Sequence, residues 1–235
     1  MNRIAVIPAR AGSKRLPKKN YKSFNSRTLV EIARDKCLTT GIFDKVIISS
    51  DDSYFEQLVN CNQVEFLKRT EKLAGDDATT DVVIDFFFEE LPSCDFILWV
   101  NSVSPLQSIQ DIKNCGTRLS DPHVDCVMAI NTLYQHSCIG NKPLNFNPNK
   151  PFEKTQDLEP IQRYIYSCMG WKRETYVKSR KEGFEGLFPG NMSLVEVSTL
   201  AGMLIKYEED FILCSQIEKA MGYIPNATIF KNYVA

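Results

Sequence analysis

Several common features are missing from this sequence of 235 residues, and each absence excludes a class of protein. The two histidines, His123 and His136, are not spaced as metal ligands, and the eight cysteines include no CxxC pair, which argues against a zinc site. No apolar run approaches the roughly 18 residues of a membrane span, and the first apolar run is too short for a signal peptide. We therefore expect a soluble, cytoplasmic protein whose cysteines are reduced thiols of the core.

Familiar catalytic and nucleotide-binding signatures are also missing. The sequence contains no GxxxxGK[ST], GxGxxG or GxSxG pattern, which argues against a P-loop, a dinucleotide fingerprint and a serine nucleophile. The net charge of −1 offers no general attraction to nucleic acid or to anionic membranes, and neither is an expected partner. Any site for an anion must therefore be local.

Short apolar runs that favour strands alternate with helical patterns along the first 131 residues. This alternation predicts an α/β fold with a doubly wound, mostly parallel sheet. The length suits one domain, residues 1–235. The predicted strands are 4–9, 45–50, 64–69, 96–101, 126–131 and 161–172, and the predicted helices are 28–38, 54–61, 81–91, 108–119 and 208–222.

One segment, residues 132–160, interrupts this rhythm. It is rich in Asn and Pro and has no sustained hydrophobic period. Loops of this length in compact domains are usually lids, binding elements or interface arms. We predict an inserted loop or arm.

The stretch "IPARAGSKRLPKKN", residues 7–20, directly follows the first predicted strand. Open α/β sheets bind ligands at this edge. The small residues 11–13 let backbone N–H groups turn toward an anion, while Arg10, Lys14 and Lys19 add positive charge. The pattern is typical of a polyphosphate site, and the alternative is a solvated basic loop.

This stretch resembles the N-terminal signature of the acylneuraminate cytidylyltransferases, the CMP-sialic acid synthetase family. Further motifs occur in the family's order and at about its spacing, so the resemblance covers nearly the whole chain. They are "IISSDD" (47–52), "RTEKLAGDDATTDVV" (69–83), "VNSVSPLQ" (100–107) and "EVSTLAGMLIKYEEDF" (196–211).

The resemblance implies a Rossmann-like nucleotidyltransferase fold and transfer of CMP from CTP to a 2-keto-3-deoxy sugar acid, with release of pyrophosphate. It also implies a homodimer in which the arm of residues 132–160 reaches the partner. Arg10, Lys14 and Lys206 are the catalytic candidates. The implied contacts to CTP, or to another nucleotide, are Arg10, Ala11, Gly12, Ser13, Lys14, Lys19, Asn20, Arg69, Asn101 and Ser104.

The family holds Mg²⁺ with two aspartates of a "DID" motif, and this chain has Leu204 and Lys206 at those positions. Neither side chain is an oxygen ligand. Three alternatives follow: the Lys206 ammonium replaces the metal, Mg²⁺ binds the phosphates with Asp76 or Asp77, or catalysis is lost. The last alternative makes the chain a nucleotide-binding or sugar-nucleotide-binding protein without activity.

Other departures affect the base and the acceptor. Asn101 replaces a glutamine near the nucleotide, which leaves base preference open. Ser167 and Met169 replace the arginine and asparagine of an Arg-x-Asn-Gly pattern whose arginine meets the acceptor's carboxylate. The remaining candidates for that carboxylate are Arg163, Lys172 and Arg173.

Overall fold

The computed structural model describes residues 1–222. Its strands are β1 (Arg3–Pro8), β2 (Lys45–Ser50), β3 (Val64–Lys68), β4 (Phe96–Val100), β5 (Cys126–Leu133), β6 (Cys138–Ile139), β7 (Lys142–Pro143), β8 (Ile161–Lys172) and β9 (Met192–Glu196). Its α-helices are α1 (Leu29–Thr40), α2 (Glu71–Ala74), α3 (Thr80–Glu90), α4 (Ile109–Leu119), α5 (Arg173–Lys181) and α6 (Glu208–Gly222). None of the helices within these residues has the length and apolar character that a membrane span needs.

Seven strands form the central sheet in the order β3-β2-β1-β4-β8-β5-β9, and β6 pairs with β7 in a separate small hairpin. All neighbours in the central sheet are parallel except β8, which runs antiparallel to both β4 and β5. The chain builds outward from β1 to β3 and then returns to place β4 on the other side of β1. The carboxyl ends of β1 and β4 therefore flank a topological switch point, where such sheets bind ligands.

Local sequence signals set the ends of the two helices that follow β1 and β4. At the start of α1, Thr28 and Glu31 form a capping box, and Gly41 ends the helix with a φ of 65°. At the start of α4, Ser108 and Asp111 form a second capping box. Each box satisfies backbone N–H groups that have no partner inside the helix.

Helices cover both faces of the sheet, as its apolar strands require. On one face, Val30 of α1 and Ile112 of α4 pack in a buried cluster with the strands. On the other face, Phe87 of α3 and Tyr176 of α5 pack with Trp171 of β8. Each large buried side chain contributes about 1.5–3 kcal/mol of hydrophobic stabilisation.

A third buried cluster joins the segment after β1 to the C-terminal helix. Its buried members are Leu16, Phe24, Leu29, Ile32, Leu106, Ile205, Phe211 and Cys214. The Phe24 and Phe211 rings meet edge to face at 5.4 Å. Asn25 Nδ2 donates to the Ser215 carbonyl at 2.9 Å. The segment that follows the basic loop, residues 9–20, is thus fixed to α6.

A bulge interrupts the pairing of β8 with β5. Met128 stands opposite Met169, but Ile130 stands opposite Tyr164. Residues 165–168 of β8 therefore face Ala129 alone. Such bulges re-aim side chains and are common beside functional sites.

The structure confirms the mostly parallel, helix-covered sheet, and it corrects several local predictions. The helix expected at 54–61 is a 3₁₀-helix, Ser53–Leu58, and the aperiodic segment 132–160 contains the β6–β7 hairpin. Helix α5 and strand β9 lie in a region for which no element was predicted. Cys61 and Cys138 are exposed, so only six of the eight cysteines are buried thiols.

Candidate nucleotide site

The basic loop runs from the end of β1 along the carboxyl edge of the sheet, beside the turn that follows β4. A side chain added at Gly12 would meet no atom within 4 Å, so the space above the loop is open. Lys18 takes a left-handed backbone conformation with a φ of 53°. Non-glycine residues rarely adopt it, and such strain concentrates at binding sites.

Hydrogen bonds from neighbouring strands hold the loop in place. The Ala11 N–H donates to Asp51 Oδ1 at 2.8 Å, just beyond β2. Asn20 Nδ2 donates to the Arg10 carbonyl at 3.0 Å, and the Ser102 hydroxyl donates to Asn20 Oδ1 at 3.2 Å. Asn20 therefore ties both ends of the loop to the turn after β4.

Two cations of the loop share one exposed carboxylate. Lys14 Nζ lies 2.7 Å from Asp76 Oδ2, and Arg10 Nη1 lies 3.2 Å from Asp76 Oδ1. The hydrogen bond from Lys14 is the main reason that the pKa of Asp76 lies below its usual value, and Arg10 adds to it. Because exposed ion pairs of this kind are weak, a phosphate can displace Asp76 from both cations.

Arg69 is the most unusual charged group of the site. Its side chain is buried, with the residue only 4% exposed, yet Nε and Nη2 have no hydrogen-bond partner within the described residues, 1–222. Burial lowers its pKa to about 10, nearby Asp51 raises the pKa, and Arg10 lowers it. A buried guanidinium without partners is costly, and an anion or a polar ligand would supply what it lacks.

Lys19 connects the loop to the segment before α6. Its Nζ donates to the Ile205 carbonyl at 2.9 Å, and the Ile205 N–H donates to the Val103 carbonyl at 2.8 Å. Burial, together with repulsion by Arg15 and Arg10, lowers the pKa of Lys19 to about 8. The ammonium is therefore poised to gain from a nearby negative charge.

Sequence reasoning missed two buried polar groups close to this site. Neither Ser49 Oγ nor Trp99 Nε1 has a hydrogen-bond partner in residues 1–222. Ser49 pairs with Leu67 in the parallel sheet, so these two side chains lie on the same face. Because side chains alternate along a strand, Arg69 lies on that face too. The signal in the sequence was the pair of serines, Ser49 and Ser50, that follows the apolar run of β2.

Two predicted nucleotide contacts are engaged by the protein itself. Asn101 Nδ2 donates to the Tyr166 carbonyl at 3.0 Å, and Asn101 Oδ1 accepts the Val103 N–H at 3.3 Å. Ser104 is buried and donates to the Ala201 carbonyl at 2.7 Å. The other predicted contacts, residues 10–14, Lys19, Asn20 and Arg69, gather around the basic loop.

Leu204 and Lys206, the residues at the implied metal-binding positions, flank Ile205, whose carbonyl accepts Lys19 Nζ. The Lys206 side chain is exposed, and the backbone N–H groups of Lys206 and Tyr207 both donate to Asp210 Oδ2 at 2.8 Å. Leu204, Lys206 and Asp210 line an open cavity of about 370 Å³. Within residues 1–222, no group of three His, Cys, Asp or Glu side chains could hold a metal ion.

Solved structures share this fold at low sequence identity. CMP:2-keto-3-deoxy-manno-octonic acid synthetase complexed with CTP aligns with a TM-score of 0.67 and 12% identity over 94% of this chain and 100% of that chain. 4-Diphosphocytidyl-2C-methyl-D-erythritol synthase from Anaerococcus prevotii aligns with a TM-score of 0.66 and 12% identity, over 93% of this chain and 98% of that chain. These alignments support the nucleotidyltransferase fold.

Curated relatives are similar at the level of sequence. N-acylneuraminate cytidylyltransferase of Streptococcus agalactiae is 26% identical over 77% of this chain and 46% of its own length. Pseudaminic acid cytidylyltransferase of Campylobacter jejuni is 29% identical over 71% of this chain and 63% of its own length. The chain thus spans about half to two thirds of the length of these relatives.

A sequence profile for the family described as "Cytidylyltransferase" matches residues 4–166, well over half of the chain. The matched region runs from β1 into β8 and includes the basic loop and Arg69. Together with the curated relatives, this match confirms the resemblance drawn from the motifs. The chain belongs to the cytidylyltransferase family.

Proposed function

We propose that this chain transfers CMP from CTP to the anomeric hydroxyl of a sugar acid of the sialic or pseudaminic type, with release of pyrophosphate. The observation that carries this proposal is Arg69, a buried cation whose Nε and Nη2 have no hydrogen-bond partner among residues 1–222, beside an open basic loop. Relatives named for cytidylyl transfer to two such acids support the acceptor class.

In the proposed reaction, phosphate oxygens of CTP displace Asp76 from Arg10 and Lys14. The acceptor oxygen bonds to the α-phosphorus, the bond from that phosphorus to the bridging oxygen breaks, and the hydroxyl proton passes to water. Negative charge then develops on the leaving pyrophosphate. Preorganised cations such as Lys19 stabilise that charge, which is the main catalytic contribution in phosphoryl transfers.

Magnesium is the cofactor that the resemblance implies, and the residues at its expected position do not fit it. Leu204 offers no oxygen ligand, Lys206 is a cation, and the Asp210 carboxylate is engaged by two backbone N–H groups. We therefore propose that positive charge from Lys19 and Lys206 takes the place of a protein-bound metal.

We also propose that the chain forms a homodimer through residues 132–160. This segment carries large apolar side chains that are more than half exposed and that a partner subunit would cover. The exposed fractions are 52% for Tyr134, 69% for Ile139 and 77% for Phe152. A symmetric dimer is the commonest way to cover such side chains.

A second candidate function is nucleotide binding without transfer, and the loss of both metal-binding aspartates favours it. The two functions are separated by measuring pyrophosphate release from CTP with N-acetylneuraminate, pseudaminic acid and 2-keto-3-deoxy-manno-octonate. Calorimetry of CTP, UTP and ATP on the same preparation determines base preference. CTP binding with no pyrophosphate release from any acid would leave the second function.

A further inference from the structure

The proposed acceptor is a sugar acid, so its carboxylate needs a cationic partner near the carboxyl edge of the sheet. The cations of the basic loop face the triphosphate in the proposed function. Ser167 is fully buried and uncharged, so it cannot supply the positive charge that pairs with a carboxylate. The partner must come from elsewhere in the chain.

Lys172 and Arg173 lie at the wrong edge of the sheet. Lys172 stands opposite Phe96, at the amino end of β4, and its Nζ donates to the Asp121 carbonyl at 2.6 Å. The Arg173 guanidinium donates to the Phe88 carbonyl. Because β4 leads away from that edge toward the switch point, both cations are separated from the basic loop by the length of the strand.

Arg163 lies at the correct edge, and the β8 bulge puts it there. If the pairing of Met128 with Met169 continued without a bulge, Arg163 would stand opposite Tyr134 in the exposed arm. The bulge brings Arg163 opposite Asn131 instead, three positions closer to the sheet. At about 3.3 Å per residue, this is a shift of about 10 Å along β5.

The Arg163 side chain is exposed and retains most of its hydrogen-bonding capacity. Among residues 1–222 its side chain makes one hydrogen bond, from Nη2 to Asn131 Oδ1 at 3.4 Å, while Asn131 Nδ2 donates to the Val197 carbonyl at 2.7 Å. Asn131 thus fixes one nitrogen of the guanidinium and leaves the other N–H groups available.

Gly202 makes room for this guanidinium beside the segment that leads to Leu204. A Cβ added at Gly202 would lie 3.1 Å from Arg163 Nη2 and 2.9 Å from Asn131 Oδ1. Three residues later, the Ile205 carbonyl accepts Lys19 Nζ. Arg163 and the basic loop therefore border the same short segment, residues 202–205, from two sides.

We propose that Arg163 binds the carboxylate of the acceptor and so selects acids over neutral sugars. A guanidinium matches a carboxylate with two parallel hydrogen bonds. This inference rests on the proposed function, because it assumes that the acceptor is a sugar acid.

The test compares the parent with Arg163→Ala, Arg163→Lys and the control Arg118→Ala, which removes an arginine from the exposed surface of α4. We expect Arg163→Ala to raise KM for N-acetylneuraminate about 10- to 100-fold, as for a lost charged hydrogen bond, with CTP affinity unchanged. Arg163→Lys should recover part of this loss. The parent should prefer N-acetylneuraminate to its methyl ester, and Arg163→Ala should not.

A second measurement separates this inference from the proposed function. Calorimetry of N-acetylneuraminate is carried out on each protein saturated with a CTP analogue that cannot transfer CMP. If the parent binds the acid but releases no pyrophosphate from CTP, the proposed transfer is refuted. The carboxylate site is then still tested, because the inference predicts that Arg163→Ala loses binding of the acid. Equal binding by the parent and Arg163→Ala, or no binding by the parent, overturns the inference.

Discussion

Replacing Arg69 with methionine should stabilise the free protein and weaken its binding of CTP. Methionine is of similar length and needs no hydrogen bonds, so it fills the buried space at low cost. In the free protein, the guanidinium is buried, and Nε and Nη2 have no hydrogen-bond partner in the part of the chain that the structure describes. The substitution removes the unfavourably buried charge. It also removes the N–H groups that would donate hydrogen bonds to the nucleotide.

The structure sets the size of both effects. Lowering the pKa of Arg69 from 12.5 to about 10, mainly through burial, corresponds to roughly 3 kcal/mol against the charged form. After imperfect repacking, we expect a gain of about 1–3 kcal/mol in the free energy of unfolding, or a rise in Tm of about 2–12 °C. A lost charged hydrogen bond of about 2–3 kcal/mol weakens CTP binding roughly 30- to 150-fold.

Arg34 provides the matched control, because it is also buried but is fully engaged. Its Nη1 donates to the Leu58 carbonyl and its Nε to Asp35, both at 2.8 Å. Arg34→Met should therefore lower the free energy of unfolding by about 1–3 kcal/mol and leave CTP affinity unchanged. Urea unfolding without ligand and calorimetry of CTP measure the two effects. If Arg69→Met is destabilised like Arg34→Met and binds CTP as the parent does, Arg69 is structural and the argument for the site is wrong.

Three further predictions concern charge and assembly. Bound phosphate favours the charged form of Lys19, whose pKa in the free protein is about 8. CTP affinity should therefore be constant below about pH 8 and fall above it, by up to about tenfold per pH unit. Calorimetry should show proton uptake on CTP binding that Lys19→Arg abolishes, and an identical pH profile for Lys19→Arg would contradict this role. EDTA should change the CTP affinity of the parent by less than about threefold. It should lower the CTP affinity of Leu204→Asp/Lys206→Asp by about tenfold or more, because the restored carboxylates need a cation. Equal sensitivity to EDTA in both proteins would favour a relocated metal. Light scattering should give a mass near twice 26.8 kDa for the parent and a smaller mass for Ile139→Glu, and a monomeric parent at micromolar concentration would refute the dimer.

Much of the fold could be predicted from the sequence because the central strands are buried on both faces. Strands β1, β2 and β4 appear as short apolar runs, and α6 was predicted with its observed bounds, Glu208–Gly222. Helix α5 was missed because it is rich in charged residues and Tyr176 is its only buried side chain, which gives a weak helical period. Strand β9 was missed because it is short and only partly buried.

The candidate site could be predicted only where function depends on a contiguous stretch. The basic loop is contiguous, and motif spacing identified Arg69. The position of Arg163 depends on the β8 bulge, whose register comes from pairing between distant strands and is not visible in either strand alone. The sequence likewise does not show whether Lys206 is buried or exposed. Its side chain is exposed, whereas the carbonyl of the preceding residue, Ile205, accepts a hydrogen bond from Lys19 Nζ.

The cluster that joins the basic loop to α6 also affects how the protein matures during synthesis. Asn25 and its partner Ser215 are 190 residues apart, and Phe24 and Phe211 are separated almost as far. At roughly 5–20 residues per second, a ribosome needs about 10–40 s to produce the second half of this contact after the first. During that interval the apolar side chains behind the loop have no cover, so nucleotide binding should begin only after α6 has left the ribosome and docked.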